Sequence, residues 1–332
     1  MTDIYIISGF LGAGKTTLIQ KLLKETASRG GKTVVLENDF GDVGIDAALL
    51  RTTGTEVAEI SAGCICCTLS GDLIRTLKTL IARFEPGRLI IEPSGVGKLS
   101  DIAAACEDEG LLAVARLRHK FTVVDAVRCR SYLDNFGEFF ADQIENADTI
   151  LLSRAEAQGD AENARALIAE LNGRATVICE PWARVNAEAL LAGAPGRDDR
   201  RAGDHCHEEH CYEDHCHGEL CADEHCHDEH CAGEHGHSAE DVFDTVTIRT
   251  EHVFSPDDLK ARVLRMEQGG EGTVLRAKGI LRGTGGCLNL QYLPGDARIE
   301  SCASGGDGDG ALCVIGRDLN GRGLADLFGG VL

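Results

Sequence analysis

The chain has 332 residues, enough for two domains, because single hydrophobic cores stop growing near ~250–300 residues. Hydrophobic residues make up 43% and aromatic residues only 5%, so the cores must be built from Leu, Ile, Val and Ala, which suits α/β layers better than an aromatic-rich sandwich. The net charge of −21 argues against a nucleic-acid or anionic-membrane surface, since both attract Lys and Arg.

The opening "MTDIYIISGF" lacks a basic leader and a long apolar core, and no later run approaches the ~18 apolar residues of a membrane span, so a cytoplasmic protein is expected. "DIYIIS" predicts a first strand, "GFLGAGKT" a loop, and "TTLIQKLLKETASRG" a helix with Leu18, Ile19, Leu22 and Leu23 on one side. "TVVLEN", "RLIIEP", "FTVVDA", "DTILLS" and "ATVIC" are short, nearly continuous apolar runs of the kind that form buried parallel strands. Helical stretches, for instance 68–84 and 160–172, separate them. That alternation predicts an α/β fold with a mainly parallel sheet and helices on both faces.

The stretch "GAPGRDDRRAGD" reads as a linker, which puts the end of the first domain near residue 195 and a linker over 196–241. Order resumes over 242–332 with "VFDTVTIRT", a helix "SPDDLKARVLRME" capped by Ser255 with Pro256 in its first turn, and strands near 273–282, 286–293 and 311–316. This predicts a small α+β domain. The glycine-dense 303–311 reads as a flexible hairpin connection.

Gly9 to Thr16 matches GxxxxGK[ST] in full, follows an apolar strand and opens a helix, the context that marks a phosphate-binding loop. Backbone N–H groups of Gly9, Gly12, Ala13, Gly14 and the following Thr17 suit phosphate; Lys15 suits the β and γ oxygens and Thr16 suits Mg²⁺. Glu92 ends the strand "RLIIE", where a carboxylate meets Mg²⁺ or the attacking water, and Glu rather than Asp leans towards water. After the second strand, "ENDFGDVGID" places Glu37 and Asp39, with Asp42 and Asp46, in a loop suited to responding to γ-phosphate and Mg²⁺.

Cys64, Cys66 and Cys67 stand in "GCICCTLSGDL". In an extended segment Cys64 and Cys66 share a face and Cys67 can swing in as a third thiolate, leaving a tetrahedral ion one exchangeable position. The linker carries three copies of a decapeptide, "DHCHEEHCYE", "DHCHGELCAD" and "EHCHDEHCAG", and a remnant "EHGH". These offer His205, Cys206, His207, His210 and Cys211; then His215, Cys216, His217 and Cys221; then His225, Cys226, His227, His230 and Cys231; and finally His235 and His237. Eleven acidic residues and no Lys or Arg accompany them between Asp204 and Glu234, which suits cations. Softness favours Zn²⁺ or Cu⁺, while imidazole also accepts Ni²⁺ and Co²⁺. The remaining cysteines, including Cys287 and Cys302, read as scattered and inert.

The pieces "GFLGAGKTTL", "ENDFGDVGID", "GCICCTLSGDL", "IIEPSG", "FTVVDA", "ADQIENADTILLSRAE", "VLRAKGIL" and "VIGRDL" together resemble the CobW-type GTPases, grouped with the UreG and HypB metal-insertion GTPases. The resemblance implies a P-loop GTPase domain and a CobW-type C-terminal domain. It also implies GTP hydrolysis with Mg²⁺, coupled to delivery of zinc, or of cobalt or nickel, from the cysteine trio. The implied partner is a client metalloprotein or a cofactor-biosynthesis enzyme, and a nucleotide- or metal-dependent homodimer stays open. Two departures stand out. Ser153, Arg154 and Glu156 ("SRAE") replace the family's Asn-Lys-x-Asp guanine reader, and Asp39 stands where many relatives carry Glu. Two other readings remain: a metal buffer with vestigial nucleotide binding, and a cobalt-handling factor of corrinoid metabolism.

Overall fold

The computed structural model describes residues 1–26, 32–37, 56–59, 70–192, 242–302 and 310–332. Asp39, the trio Cys64, Cys66 and Cys67, and every His and Cys of the linker lie outside the described residues.

The first half is organised around seven strands: β1 (Thr2–Gly9), β2 (Thr33–Glu37), β3 (Glu56–Glu59), β4 (Arg88–Glu92), β5 (Ala115–Asp125), β6 (Thr149–Ser153) and β7 (Thr176–Ile178). They form one sheet in the order β3-β2-β4-β1-β5-β6-β7, and every pairing is parallel. Parallel neighbours need crossovers, and helices supply them: α1 (Lys15–Thr26), α2 (Ser70–Phe84), α3 (Leu99–Cys106), α4 (Glu109–Leu112), α5 (Cys129–Glu145), α6 (Gln158–Leu171) and α7 (Ala187–Ala192).

Alternation along each strand divides the core in two. Ile4, Ile6, Val34, Leu36, Leu89, Ile91, Ile150 and Leu152 pack with residues of α2, α3, α5 and α6 on one face. Tyr5, Ile7, Val35, Ile90 and Leu151 pack with α1 and α7 on the other. A sheet buried on both faces needs continuous apolar strands, which is why these runs were legible in the sequence.

The second half is a five-stranded sheet, β8 (Asp244–Thr250), β9 (Thr273–Gly283), β10 (Gly286–Leu293), β11 (Asp296–Cys302) and β12 (Gly310–Arg317), in the order β11-β10-β9-β12-β8. All its pairings are antiparallel. Two helices cover one face, α8 (Pro256–Glu267) and α9 (Gly321–Phe328). Ser255 caps α8 as expected: its Oγ accepts from Asp258 N at 3.1 Å, satisfying one of the donors a helix start leaves open. Leu259, Val263, Met266, Leu324 and Phe328 pack there against Leu281, Leu288, Leu290, Leu312 and Val314.

Two expectations need correction, and two elements go unannounced. The segment 303–311 is no hairpin connection, because β11 and β12 are not neighbours; two strands, β10 and β9, lie between them. Cys287 and Cys302 are not scattered either, since they are register partners across β10 and β11, 5.3 Å apart at Cα, and form a disulfide. Finally, β11 and α9 are elements that the sequence pattern does not announce. "DARIESC" is an edge strand with little burial, and "GRGLADLF" is short and interrupted by glycine.

Candidate functional site

The loop after β1 is built around glycine at two places where a side chain would collide. A Cβ on Gly9, whose φ is +143°, would lie 2.4 Å from Val123 O of the paired strand β5. One on Gly12, at φ +67°, would lie 2.5 Å from the Leu293 side chain at the end of β10. Between them Phe10 turns inward, 1% exposed, with its ring 4.7 Å from Tyr132 and 5.3 Å from Phe136 of α5, and 6.4 Å from Phe243. The aromatic cluster pins the loop from below. Ala13 is also buried, and its N–H donates to Phe10 O at 3.2 Å.

Lys15 opens α1, is 5% exposed, and donates to Phe10 O at 3.4 Å. Thr16 Oγ1 donates to Glu92 Oε1 at 2.9 Å, so the helix start and the carboxyl end of β4 meet. Glu37 ends β2 as the register partner of Glu92, and both carboxylates are buried at 4% and 5% exposure. Functional groups gather here because parallel strands all deliver their carboxyl ends to one edge, where α/β sheets place ligands. Hydroxyl and carboxylate oxygens in this arrangement fit a hard cation such as Mg²⁺.

Asp125, at the end of β5, is a residue that sequence reasoning missed. Its side chain is fully buried and holds Arg128 Nη1 at 2.9 Å and Arg154 Nη1 at 2.7 Å. The same Arg154 nitrogen donates to Gly12 O at 3.1 Å, tying the end of β6 to the glycine loop. Arg154 adopts φ +52° to do so, an uncommon backbone for a side-chain-bearing residue. Ser153 stands beside it with Oγ 3.5 Å from Val124 O, and Glu156 is exposed. The single tryptophan, Trp182, does more than fill space. Its ring edge would meet a Cβ on Gly14 at 3.1 Å, and its Nε1 donates to Leu152 O at 2.8 Å.

A cavity of about 290 Å³ joins the two halves. Gly12, Gly14, Lys15, Thr16, Thr17, Glu92 and Arg154 line it from the first sheet; Arg276, Asn289, Gln291, Leu293 and Arg298, together with the carboxylates Asp296 and Glu300, line it from the second. Nothing in the sequence signalled this second wall, although "VLRAKGIL" contains Arg276. Lys278, two residues further along β9 and 1% exposed, senses both Glu37 and Lys15; burial holds its ammonium down to about 8, with Cys313 and Glu37 pulling the other way. A wider groove of about 840 Å³ opens at the amino ends of β6 and β7, lined by residues such as Asp148, Thr149 and Arg174, but it contains none of the glycine-loop residues. The smaller cavity is the one that the glycine loop, Thr16 and Glu92 line.

Comparison with known proteins adds two matches to domain models. The CobW/HypB/UreG nucleotide-binding domain matches residues 3–179, and the cobalamin synthesis protein cobW C-terminal domain matches residues 243–332. A protein named zinc chaperone YjiA, from Escherichia coli, is 33% identical over 180 residues, 52% of this chain and 56% of that protein. One named zinc chaperone CobW, from Sinorhizobium sp, is 32% identical over 238 residues, 61% of this chain and 66% of that protein. The chain thus spans between about half and two thirds of the length of these two relatives. The crystal structure of Zn(II)-bound YjiA GTPase from E. coli aligns over 99% of this chain and 98% of its own, with 21% identity and a TM-score of 0.41.

Proposed function

Because the chain belongs to the CobW/HypB/UreG family, we propose that it is a GTP-hydrolysing metallochaperone that binds a transition metal, zinc first among the candidates, and delivers it to a client protein or cofactor pathway. The observation that carries this reading is the 2.9 Å hydrogen bond of Thr16 with Glu92 beside Lys15, inside a cavity that the glycine loop lines.

In this reading the N–H groups of Gly12 to Thr17 cradle the phosphates and Lys15 moves from Phe10 O to the β and γ oxygens. Thr16 and Glu92, with Glu37 and Asp39 nearby in sequence or register, hold Mg²⁺, which when bound neutralises charge on the phosphate oxygens. Glu92 also orients a water whose oxygen bonds to the γ-phosphorus as the β–γ bridge breaks, releasing GDP and phosphate. Arg154, tied to Gly12 O, takes the covering role of the family's lysine, and Glu156 accepts from guanine when the base is in place. Ser153 cannot supply the amide that an Asn offers the base, so GTP is preferred over ATP by a narrower margin than in relatives that keep the Asn.

The cargo is held by Cys64, Cys66 and Cys67 and supplied by the His- and Cys-rich linker, and nucleotide state shifts its affinity. A few kcal/mol of coupling suffices to change occupancy many-fold. The test is hydrolysis of GTP and ATP by the purified chain, with and without one equivalent of Zn²⁺, Co²⁺ or Ni²⁺, for wild type and a Cys64/Cys66/Cys67→Ala variant. Metal-stimulated GTP turnover that disappears in the variant supports the reading and selects the cargo. No turnover with any nucleotide or metal favours a metal buffer instead.

A further inference from the structure

The hairpin of β10 and β11 forms much of the cavity's second wall, and one of its faces carries most of that wall. Leu288, Leu290 and Tyr292, with Ile299 across from Leu290, pack towards α8 and α9. The alternate positions pair in register as Leu293 with Asp296, Gln291 with Arg298, and Asn289 with Glu300, and all six residues line the cavity. The next pair on that ladder and face is Cys287 with Cys302, 5.3 Å apart at Cα, within the span a disulfide needs. The hairpin is thus held at both ends. At its turn, Leu293 abuts Gly12 and Arg128 Nη2 donates to Pro294 O at 3.3 Å; at its open end stands the bond between Cys287 and Cys302.

We propose that the bond between Cys287 and Cys302 is a reversible thiol–disulfide exchange site whose state sets how firmly β11 stands against the cavity, and thereby how tightly nucleotide is held; that last clause rests on the functional reading above. β11 is the outermost strand of its sheet and none of its residues is buried, so the ladder to β10, the contact of Ile299 and the bond are what hold it. Asp296, Arg298 and Glu300 move with it. Neither cysteine belongs to the core under α8 and α9, so that core persists when the bond opens. Cys302 is half-buried on the edge strand whereas Cys287 is 8% exposed, so an incoming thiolate reaches the Cys302 sulfur first. A low-molecular-weight thiol of the glutathione class bonds to Cys302 Sγ as the protein's S–S bond breaks, and Cys287 leaves as a thiolate that takes a proton from water. A second such thiolate attacks the small-molecule sulfur of the mixed disulfide, forming the free disulfide and releasing Cys302, which is protonated in turn. Two electrons pass from the small thiols to the protein, and exchange in reverse restores the bond. Cys302 O lies 2.9 Å from Cys287 Sγ, an acceptor at hand for the released thiol.

The experiment equilibrates the full chain, in Mg²⁺ and free of transition metal, in buffers that run from reduced glutathione to glutathione disulfide. Wild type is compared with the Cys287→Ser/Cys302→Ser variant, which keeps every other cysteine. Thiol alkylation with mass spectrometry reads the bond, hydrogen exchange reads the amides of β11, and calorimetric titration reads affinity for a non-hydrolysable GTP analogue. Reduction of wild type is expected to open the bond reversibly, to speed exchange across β11 by about tenfold or more, and to weaken analogue binding by about fivefold or more. The variant should match reduced wild type in every buffer; if it does not fold, Cys302→Ala takes its place. A bond that never forms in glutathione disulfide, or never opens in reduced glutathione, would overturn the proposal. So would unchanged exchange or unchanged affinity on opening, or a redox shift of equal size in the variant, which would come from other thiols. A reduced wild type that unfolds outright would overturn it too, since the bond would then be structural. If wild type binds no nucleotide in either state while β11 exchange still responds, the functional reading falls and the exchange site stands.

Discussion

The two sheets solve the same burial problem in opposite ways. The parallel sheet hides both faces under helices and exposes chemistry only at one edge, where β1, β2, β4, β5 and β6 end in Gly9, Glu37, Glu92, Asp125 and Ser153. The antiparallel sheet hides one face under α8 and α9 and buries Leu275, Cys313 and Ile315 in the core of the first half, leaving Arg276, Asn289, Gln291 and Arg298 among the residues that line the cavity. Its polar residues are therefore spread over a surface, and that surface covers the parallel sheet's edge. The difference teaches where to look for function: at strand ends in the first half, and along strand faces in the second.

The sharpest way to break this comparison is at the strand end itself. Lys15→Ala should weaken binding of a GTP analogue by about 100-fold or more, because it removes the ammonium that the proposed function assigns to the β and γ oxygens. Equilibrium titration checks this, and an unchanged affinity would remove the glycine loop from the function.

The next test compares one buried ring from each half. Phe10→Ala and Phe254→Ala should each cost about 3–5 kcal/mol in urea unfolding, since both rings are within 1% of complete burial. Only Phe10→Ala should also weaken nucleotide binding, because its ring anchors the loop against Tyr132 and Phe136. Equal effects on nucleotide would mean that the two halves act as one unit. Trp182, the single tryptophan and a neighbour of Gly14, gives a fluorescence readout for the binding arm.

A smaller effect is expected at Asp125. Asp125→Ala leaves Arg128 and Arg154 without their shared carboxylate, and should cost about 1–3 kcal/mol, below the full buried-pair penalty because both guanidinium groups are partly exposed. It should also narrow the preference for GTP over ATP, measured by competition, as Arg154 loses its hold on the loop.

The smallest concerns the far end of the parallel sheet. His119 is buried against Thr149 Oγ1 at 2.9 Å, and burial pulls its pKa below the ordinary 6.5 even though Asp148 at 3.9 Å pulls the other way. The folded state therefore favours the neutral ring. Its contribution to stability is complete above pH 6.5 and is lost as pH falls below that value, because the unfolded chain takes up the proton first. Wild type should lose stability more steeply than His119→Gln from pH 6.5 downward, with nucleotide affinity unaffected.

Residues whose roles depend on neighbours in sequence were legible without coordinates. "GFLGAGKT" specifies its own loop, since glycine, lysine and threonine act through backbone turns and the start of α1. Apolar runs such as "RLIIE" specify strands because both sheet faces are buried, and the Ser255 and Pro256 pair specifies the start of α8. The residues that join distant segments were not legible. Asp125 reads as the end of a strand, and only the tertiary structure brings Arg128 and Arg154 onto it; nothing in the sequence marks Arg276 and Arg298 as lining the same cavity as the glycine loop. Cys287 and Cys302 looked unrelated because register, not spacing, makes them neighbours. Local chemistry and periodicity thus determined the parallel core and the phosphate loop, and the motifs in their order carried the resemblance to the CobW-type GTPases. Which face of the second sheet meets that loop was decided only by tertiary packing, because a strand's alternation shows that two faces differ but not what each will touch.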